Sequence, residues 1–545
     1  MRIMLAQLNL TVGDVERNTN KILEAMANAR RQSVDTVIFS ELALCGYPPQ
    51  DLLLHSDFCS ALEHSLETIV KSSQGLVLVV GTIRRNETAC GKPLFNSAAV
   101  IEDGKLIGFV DKLLLPTYDV FDESRYFEPG HTAKCFHLHD KKVAITICEN
   151  IWHHAKRSDI SQYAQDPIAQ LAEESPDLLI NLSASPYSLG RIHDRIEVLR
   201  GATKTLQCPA LLCNQVGGND SLIFDGNSFS IDSEGNLSSK ARAFDEDHLV
   251  ISAFEKAPVS ISFQGDEEEL FKALSLGLRD YCHKTGFQNV CLGLSGGIDS
   301  AVTACIAVDA LGKDSVTGIT MPSRHSSSGS VTDSQELAKR LGIRCLKLPI
   351  ETIFEGALET LTPILSGEIN ELTFENLQPR IRGMLLMAYA NQFNQLVLAT
   401  GNKSELAMGY STLYGDLCGA VGVIADVTKT QVYRLANWIN SQREVIPLET
   451  IQKPPSAELR PNQFDSDTLP PYDTIDTVVE EHVVHHHCAQ SIAERHGLER
   501  SFVQALIRRI HRNEYKRRQS PFALRVSTKA FSTGRRFPLA EGWFQ

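Results

Sequence analysis

At 545 residues, with 43% hydrophobic and 22% charged content, the chain has ordinary globular composition and room for two or more domains, which excludes a disordered or fibrous protein. Its formal net charge of -13 argues against a general nucleic-acid or membrane-surface binder, since either needs a basic face, and points to small-molecule partners. No apolar run reaches roughly 18 residues, and Met1-Arg2-Ile3-Met4-Leu5-Ala6 leads straight into periodic structure, so a cytoplasmic protein without membrane association is expected.

Strand-like apolar runs alternate with helical stretches from the start. Val37-Ile38-Phe39, Leu76 to Val80, Val143 to Ile147, Leu178 to Leu182 and Ala210 to Cys213 read as strands, and Asn18 to Gln32 as a helix. Hairpins around Glu102-Asp103-Gly104 and Asp232 to Gly235 make part of this sheet structure antiparallel or mixed, which suits a sandwich better than a doubly wound sheet. The 13 cysteines include no Cys-x-x-Cys pair and are odd in number, so most are expected to be small buried hydrophobes rather than disulfide or zinc partners.

Three reactive side chains each stand where an apolar run stops: Glu41 after Val37 to Ser40, Lys112 after Ile107 to Asp111, and Cys148 after Ala144 to Ile147. A thiol needs a base and a nearby cation to act as a nucleophile at neutral pH, and ligands in α/β folds gather near strand ends. Singly, these residues would be read as a helix cap, a surface charge and a core cysteine. Their contexts, Ser40-Glu41-Leu42-Ala43-Leu44-Cys45-Gly46-Tyr47-Pro48-Pro49, Asp111-Lys112-Leu113-Leu114-Leu115-Pro116 and Ile147-Cys148-Glu149-Asn150-Ile151-Trp152, resemble the three blocks of the nitrilase (carbon–nitrogen hydrolase) family. The resemblance implies an α-β-β-α sandwich in which Cys148 attacks a carbon–nitrogen bond, Glu41 shuttles the proton and Lys112 stabilises the oxyanion. It also implies glutamine binding by Tyr118, Ser185 and Arg191, the last suited to a carboxylate fork. Asn150 stands where the family pattern has aspartate, which removes a negative charge beside the nucleophile.

The hydrophobic rhythm fades between about Ser252 and Asp266, and the acidic run Asp266 to Glu269 opens a new helix. This divides the chain into residues 1–255, a linker at 256–267 and residues 268–545. The second part repeats strand, turn and helix through Val290 to Leu294, Ser315 to Met321, Arg344 to Leu348 and Gln395 to Thr400, which predicts a parallel, Rossmann-like sheet. Its first strand runs into Gly293-Leu294-Ser295-Gly296-Gly297-Ile298-Asp299-Ser300 and a helix near Ser300. Glycines let backbone N–H groups approach an anion, and the helix dipole points at the same spot. No lysine follows the turn, so the loop reads as a holder of a leaving pyrophosphate rather than a transferring γ-phosphoryl group.

The Ser-Gly-Gly-x-Asp-Ser string resembles the ATP pyrophosphatase family, in which the aspartate helps bind magnesium. Downstream, Phe374-Glu375-Asn376-Leu377-Gln378, Arg380-Ile381-Arg382, Thr400-Gly401-Asn402-Lys403-Ser404-Glu405, Pro454 to Leu459 and Glu514 to Gln519 resemble the NAD synthetase family. With the amidase half, the likeness to glutamine-dependent NAD synthetases covers nearly the whole chain. It implies ATP on Gly293 to Ser300 with Thr400 near the adenosine, and deamido-NAD against Asn376, Glu405 and Lys516. Asp299 and Glu405 are the implied Mg2+ ligands. The implied reaction adenylates the nicotinate carboxylate of deamido-NAD, releases pyrophosphate and lets ammonia displace AMP. Because ammonium is not a nucleophile, an enclosed tunnel between the two sites is expected, and a homodimer or larger homo-oligomer is expected from the family.

Five further features carry expectations. Pro379 is expected to start its helix near Leu377 or to kink it. His485-His486-His487 read as solvated helix surface rather than a metal site. The basic residues Arg508, Arg509, Arg512, Lys516, Arg517 and Arg518, with Tyr515 the one Phe, Tyr or Trp among them, read as dinucleotide phosphate contacts plus surface charge rather than a nucleic-acid surface. Ser326 to Ser330 read as a loop closing on nucleotide, and Pro454-Pro455 to Pro470-Pro471 as an ordered loop over the second site.

Overall fold

The computed structural model describes residues 1–88, 90–155, 163–254, 261–365 and 369–543. The chain divides into two compact units, Met1–Gln264 and Gly265–Gln545. Residues 256–260 of the expected linker lie outside the described residues. Asp266 and Glu267 already belong to the helix Asp266–Thr285, where four acidic side chains from Asp266 to Glu269 face the positive end of the dipole.

The first unit holds two six-stranded sheets. In one, the central strands Arg2–Gln7, Thr36–Phe39 and Val77–Arg85 run parallel. Asp247–Ser252 closes one edge antiparallel, and the hairpin Leu94–Glu102 with Lys105–Asp111 closes the other. In the second sheet, Lys141–Ile147, Leu178–Ser183 and Ala210–Asn214 run parallel between antiparallel edges. Strand Leu178–Ser183 is buried at every residue, as expected of a strand covered on both faces. Alternate residues explain the layers. Ile3, Leu5, Ile38 and Val79 meet Val143, Ile145, Ile180 and Leu211 in a core between the sheets. Met4, Val37 and Leu78 face the other way onto helices Val15–Arg31 and Ser56–Lys71, and Ala144, Leu179 and Leu212 face Pro167–Ala172 and Arg191–Leu206. This is an α-β-β-α sandwich.

The second unit is built on one six-stranded sheet whose neighbours are all parallel. Val290–Gly293 lies between Val316–Thr320 and Leu396–Ala399. Strand order reverses around this central strand, so the turn after it opens at the carboxyl edge where α/β sheets bind ligands.

Three expectations are corrected. The helix carrying Asn376 starts at Glu371, with the Asn370 side chain accepting from Thr373 N at 2.8 Å, and continues through Pro379 to Phe393. Pro379 is buried and the backbone of Gly415 packs against it so closely that a Cβ there would meet the ring Cβ at 2.9 Å; tertiary packing holds the interior proline in place. His485 to His487 lie in the connection between the π-turn Glu480–Val484 and helix Ala489–His496, not on a helix. There Glu481 binds His487 at 2.6 Å, His496 at 3.1 Å and Arg495 at 3.3 Å. Finally, Ser327 is the N-cap of helix Ser328–Leu341, its hydroxyl accepting from Ser330 N at 3.1 Å, so most of the expected loop is the first helical turn.

Candidate functional sites

In the first unit, Glu41, Lys112 and Cys148 all stand at strand ends and are almost wholly buried, at 1%, 1% and 5% exposure. Thr36–Phe39 delivers Glu41 through a turn in which Leu42 is left-handed. Gly81 of the adjacent strand makes room for that turn: a Cβ would lie 2.2 Å from Ser40 O. Lys141–Ile147 delivers Cys148 at φ 39°, a strained conformation for a non-glycine residue, at the start of the 3-10 turn Cys148–Ile151. Asn150 in that turn accepts from Leu113 N at 3.2 Å and Leu114 N at 3.0 Å. The neutral amide thus ties the cysteine turn to the lysine strand end by the acceptor bonds a carboxylate would make.

Lys112 Nζ donates to Glu41 Oε1 and Glu123 Oε1, both at 2.7 Å. Asn96 Nδ2 donates to Glu41 Oε1 at 2.8 Å, and Ala184 N donates to Glu41 Oε2 at 3.0 Å. Tyr47 donates to Glu123 at 2.8 Å. Burial pushes the Cys148 thiol up, Glu41 adds to this, and Lys112 opposes it, so the resting group is a thiol that requires a base. Lys112 is held well above its usual range: the two carboxylates outweigh its desolvation. Glu123 is raised to about 7, chiefly by burial.

The residues expected to bind glutamine adjoin this centre. Tyr118 donates to Glu149 Oε2 at 2.9 Å, and Glu149 is itself raised by burial. Arg191 opens helix Arg191–Leu206 and lies 4.0 Å from the Trp152 ring centroid, which fixes the plane of its guanidinium. Ser185 follows strand Leu178–Ser183 and is buried.

The second unit has a cleft of about 460 Å³. It is lined by Gly293, Leu294, Ser295, Gly297, Ile298, Asp299, Ser300 and Thr400, and equally by Asn376, Glu405 and Lys516. Gly296, at φ 77°, packs under the helix Ser328–Leu341, where a Cβ would meet Ser330 O at 2.4 Å. Helix Ile298–Leu311 starts at the loop with its first turn toward the cleft. Asp299 Oδ1 accepts from Asn402 Nδ2 at 2.8 Å, and its other oxygen pairs with Lys429 Nζ at 2.5 Å. Lys429 also lies 3.5 Å from Glu405. Burial and the Asp299 charge raise Glu405 to about 8, against the pull of Lys429. Glu405 and Asn402 form a reciprocal cap of helix Lys403–Met408. Asn376 accepts from Thr412 Oγ1 at 2.6 Å, and Lys516 Nζ donates to Gly409 O and Ser411 O at 2.7 Å each. Pro454 to Leu459 line the cleft. Glu458 accepts from Ser327 Oγ at 2.9 Å and Ser330 Oγ at 2.8 Å, which ties that segment to the helix beside the loop.

The chain matches the Carbon-nitrogen hydrolase family over residues 2–257 and the NAD synthase family over residues 270–520. It is 43% identical to the glutamine-dependent NAD(+) synthetase of Synechocystis sp., with 99% of each chain covered. The chain belongs to the glutamine-dependent NAD(+) synthetase family. A relative from Thermotoga maritima is 39% identical over 99% of this chain and 98% of its own. The solved glutamine-dependent NAD+ synthetase of Acinetobacter baumannii, in complex with ADP, has a TM-score of 0.77 and 36% identity, with 99% of each chain covered.

Glu123, Asn96 and Lys429 also stand in these sites and belong to none of the sequence motifs. Glu123 lies eleven residues beyond Lys112 in a segment rich in acidic residues, Asp119, Asp122 and Glu123, and only burial singles it out. Lys429 is brought to the phosphate loop from far downstream by helix Lys429–Gln442, so the loop without its own lysine acquires one through the fold. In the basic stretch, two residues depart from the expected phosphate contacts and surface charge. Arg509 donates to Met408 O and Thr468 O, while Arg517 is buried against Glu514 and the Leu406 and Ala407 carbonyls; of these residues only Lys516 lines the cleft. Arg508, Arg512 and Arg518 are exposed.

Proposed function

We propose that the two units of this glutamine-dependent NAD(+) synthetase divide one reaction, glutamine hydrolysis in the first and ATP-dependent amidation of deamido-NAD in the second. The observation that carries the reading is the pairing, in one chain, of a buried Glu41–Lys112–Cys148 centre with a phosphate loop whose Asp299 approaches Glu405 across Lys429. In the first unit, Glu41 takes the thiol proton, Cys148 Sγ attacks the glutamine carboxamide, and the Lys112 ammonium stabilises the oxyanion. Glu41 returns the proton to the leaving nitrogen, ammonia departs, and water attack on the thioester releases glutamate. Tyr118, Ser185 and Arg191 hold the amino-acid end.

In the second unit, the backbone N–H groups of the Gly293 to Ser300 turn hold the phosphates, with Thr400 near the adenosine. Asn376, Glu405 and Lys516 hold deamido-NAD. The nicotinate carboxylate attacks the α-phosphorus, pyrophosphate leaves, and ammonia displaces AMP. Asp299 and Glu405, two hard oxygen donors lining the cleft beside the phosphate turn, would hold a magnesium ion. Bound there, the ion supplies charge neutralisation to the triphosphate. The nucleophile that displaces AMP is neutral ammonia, since ammonium has no free electron pair.

No helix among the described residues is long and apolar enough to cross a membrane, and the reading extends to a cytoplasmic enzyme. It extends also to a homodimer or larger homo-oligomer. Met384, Met387 and Phe393, 41% to 52% exposed on helix Glu371–Phe393, support that assembly. Light scattering tests it.

The deciding experiment supplies ATP and deamido-NAD with either glutamine or ammonium. Cys148→Ala is expected to lose glutamine-driven NAD formation and keep the ammonium-driven reaction, most visibly at higher pH, and to lose covalent labelling by an electrophilic glutamine analogue. Normal glutamine-driven synthesis in that variant, with contaminating ammonia excluded, would refute the division.

A further inference from the structure

Beside Ser185 in the first unit lies a buried cation, Arg195. Arg195 is fully buried and bidentate to Asp225, with Nη2 to Oδ1 at 2.6 Å and Nη1 to Oδ2 at 2.9 Å. Asn227 Nδ2 donates to the same carboxylate at 2.7 Å. Thus anchored, Arg195 sends Nε to Ser185 Oγ at 3.1 Å and Nη2 to Ser185 O at 3.1 Å. Asn214 Oδ1 accepts from Ser185 N at 2.9 Å. Every backbone polar group of Ser185 is therefore paired. Its hydroxyl has, among the described residues, only the bond it accepts from Arg195.

A guanidinium has five donors and no acceptor, and it does not deprotonate in proteins. A hydroxyl facing it can accept but cannot donate toward it. The single hydroxyl hydrogen of Ser185 must therefore point away from Arg195. A ligand at this position meets an obligatory donor, and an acceptor of high charge density, a carboxylate, is favoured over an amide or ester. The preceding residue adds a second consequence, because Ala184 N holds Glu41 Oε2. The same clamped segment carries the donor for the amino-acid end and a fixed bond to the base.

We infer that Arg195, locked by Asp225, is a positioning and specificity-determining residue that fixes the Ser185 hydroxyl as a donor to the α-carboxylate of glutamine. This rests on the assignment of the first unit as a glutaminase.

The test is glutaminase kinetics of the full chain, with glutamate release measured for wild type, Arg195→Lys, Arg195→Gln, Ser185→Ala and the double variant Ser185→Ala/Arg195→Gln. Lysine keeps a donor-only head, so the serine proton still points outward. Glutamine at 195 offers a carbonyl oxygen toward which the proton can turn. Loss of a hydrogen bond to a charged group corresponds to roughly tenfold or more in affinity. Ser185→Ala and Arg195→Gln are therefore each expected to raise the KM for glutamine about tenfold with kcat within about threefold. Arg195→Lys keeps a donor-only head but not the bidentate fork, so its KM should fall between those of wild type and Arg195→Gln, and the double variant should be no worse than Ser185→Ala alone. If Arg195→Gln does not fold, Ser185→Ala still decides, because it leaves the Arg195–Asp225 pair intact. It should lower the preference for glutamine over its α-carboxamide analogue about tenfold. An unchanged KM and preference in Ser185→Ala, or an equal effect of Arg195→Gln with and without the hydroxyl, would overturn the inference. Retained glutamine hydrolysis in Cys148→Ala would instead overturn the glutaminase assignment, so the two failures are distinguishable.

Discussion

Replacing Glu123 by glutamine changes one charge on Lys112 and leaves the shape of the site nearly intact. The amide oxygen can still accept from Lys112 and Tyr47, while Asn96 Nδ2, 3.3 Å from Glu123 Oε2, meets an NH2 group and loses that bond but keeps the one to Glu41. Burial raises Glu123 from 4.5 to about 7. Between those values the folded state holds a proton that the unfolded state has released, so wild-type stability falls as pH rises through the window. At about 1.4 kcal/mol per pH unit, the penalty reaches about 3 kcal/mol and is complete above pH 7. The variant has no such titration. Relative to wild type it should therefore gain about 3 kcal/mol between pH 5 and pH 8, read by urea-dependent labelling of the buried Cys45 and Cys213. Activity should move the other way. Above pH 7, where wild-type Glu123 is ionised, the variant leaves the Lys112 ammonium drawn onto Glu41 alone and weakens it as a base, so glutamine-driven kcat should fall there about 10- to 100-fold. Ammonium-driven synthesis should be untouched. A stability difference that is flat from pH 5 to 8, together with an unchanged kcat, would refute the reasoning.

Asp299→Ala should abolish NAD formation from either nitrogen source, by about 100-fold or more, with the fold retained; near-normal ammonium-driven synthesis would remove its assigned role. Arg191→Leu removes the guanidinium stacked on Trp152 and should raise the glutamine KM about tenfold or more, leaving the ammonium reaction intact. An unchanged KM would move the carboxylate fork elsewhere, and not to Arg195, whose guanidinium is committed to Asp225 and Ser185. Asn150→Asp keeps the acceptor for Leu113 N and Leu114 N but adds a carboxylate beside a thiol already raised by Glu41, Glu149 and Glu123. The limb of the kcat/KM profile that reports thiol ionisation should shift to higher pH, and an unmoved profile would show that the charge is screened from Cys148.

The sequence was most legible where local pattern and chemistry coincide. Strand ends delivered Glu41, Lys112 and Cys148 because an apolar run followed by a polar residue marks the edge of a sheet, and the glycine turn after Val290–Gly293 needs no distant partner to be read. The proline in helix Glu371–Phe393 misled for the opposite reason: its local cost is set against packing on Gly415, which is remote in sequence. The three consecutive histidines were similarly opaque, since Glu481, Arg495 and His496 gather around them from separate elements.

The same limit explains the two charges that matter most and were not anticipated. Glu123 and Lys429 belong to no motif of their own, and each acquires meaning only by burial next to an opposite charge that the motif supplies. In the first unit a motif lysine, desolvated, is paired with a second carboxylate beyond Glu41. In the second, two motif carboxylates, Asp299 and Glu405, both lie against the Lys429 ammonium. Buried charge must be paired or coordinated. A motif that places an isolated charge at a strand end therefore predicts a partner of opposite sign somewhere in the chain, though not its position. That position is set by tertiary structure: the segment after Pro116 brings Glu123 back beneath Lys112, and Thr428, capping helix Lys429–Gln442, sets Lys429 at the helix start. Because the partner is fixed by the fold rather than the motif, exchanging its sign should damage the site as severely as mutating a motif residue.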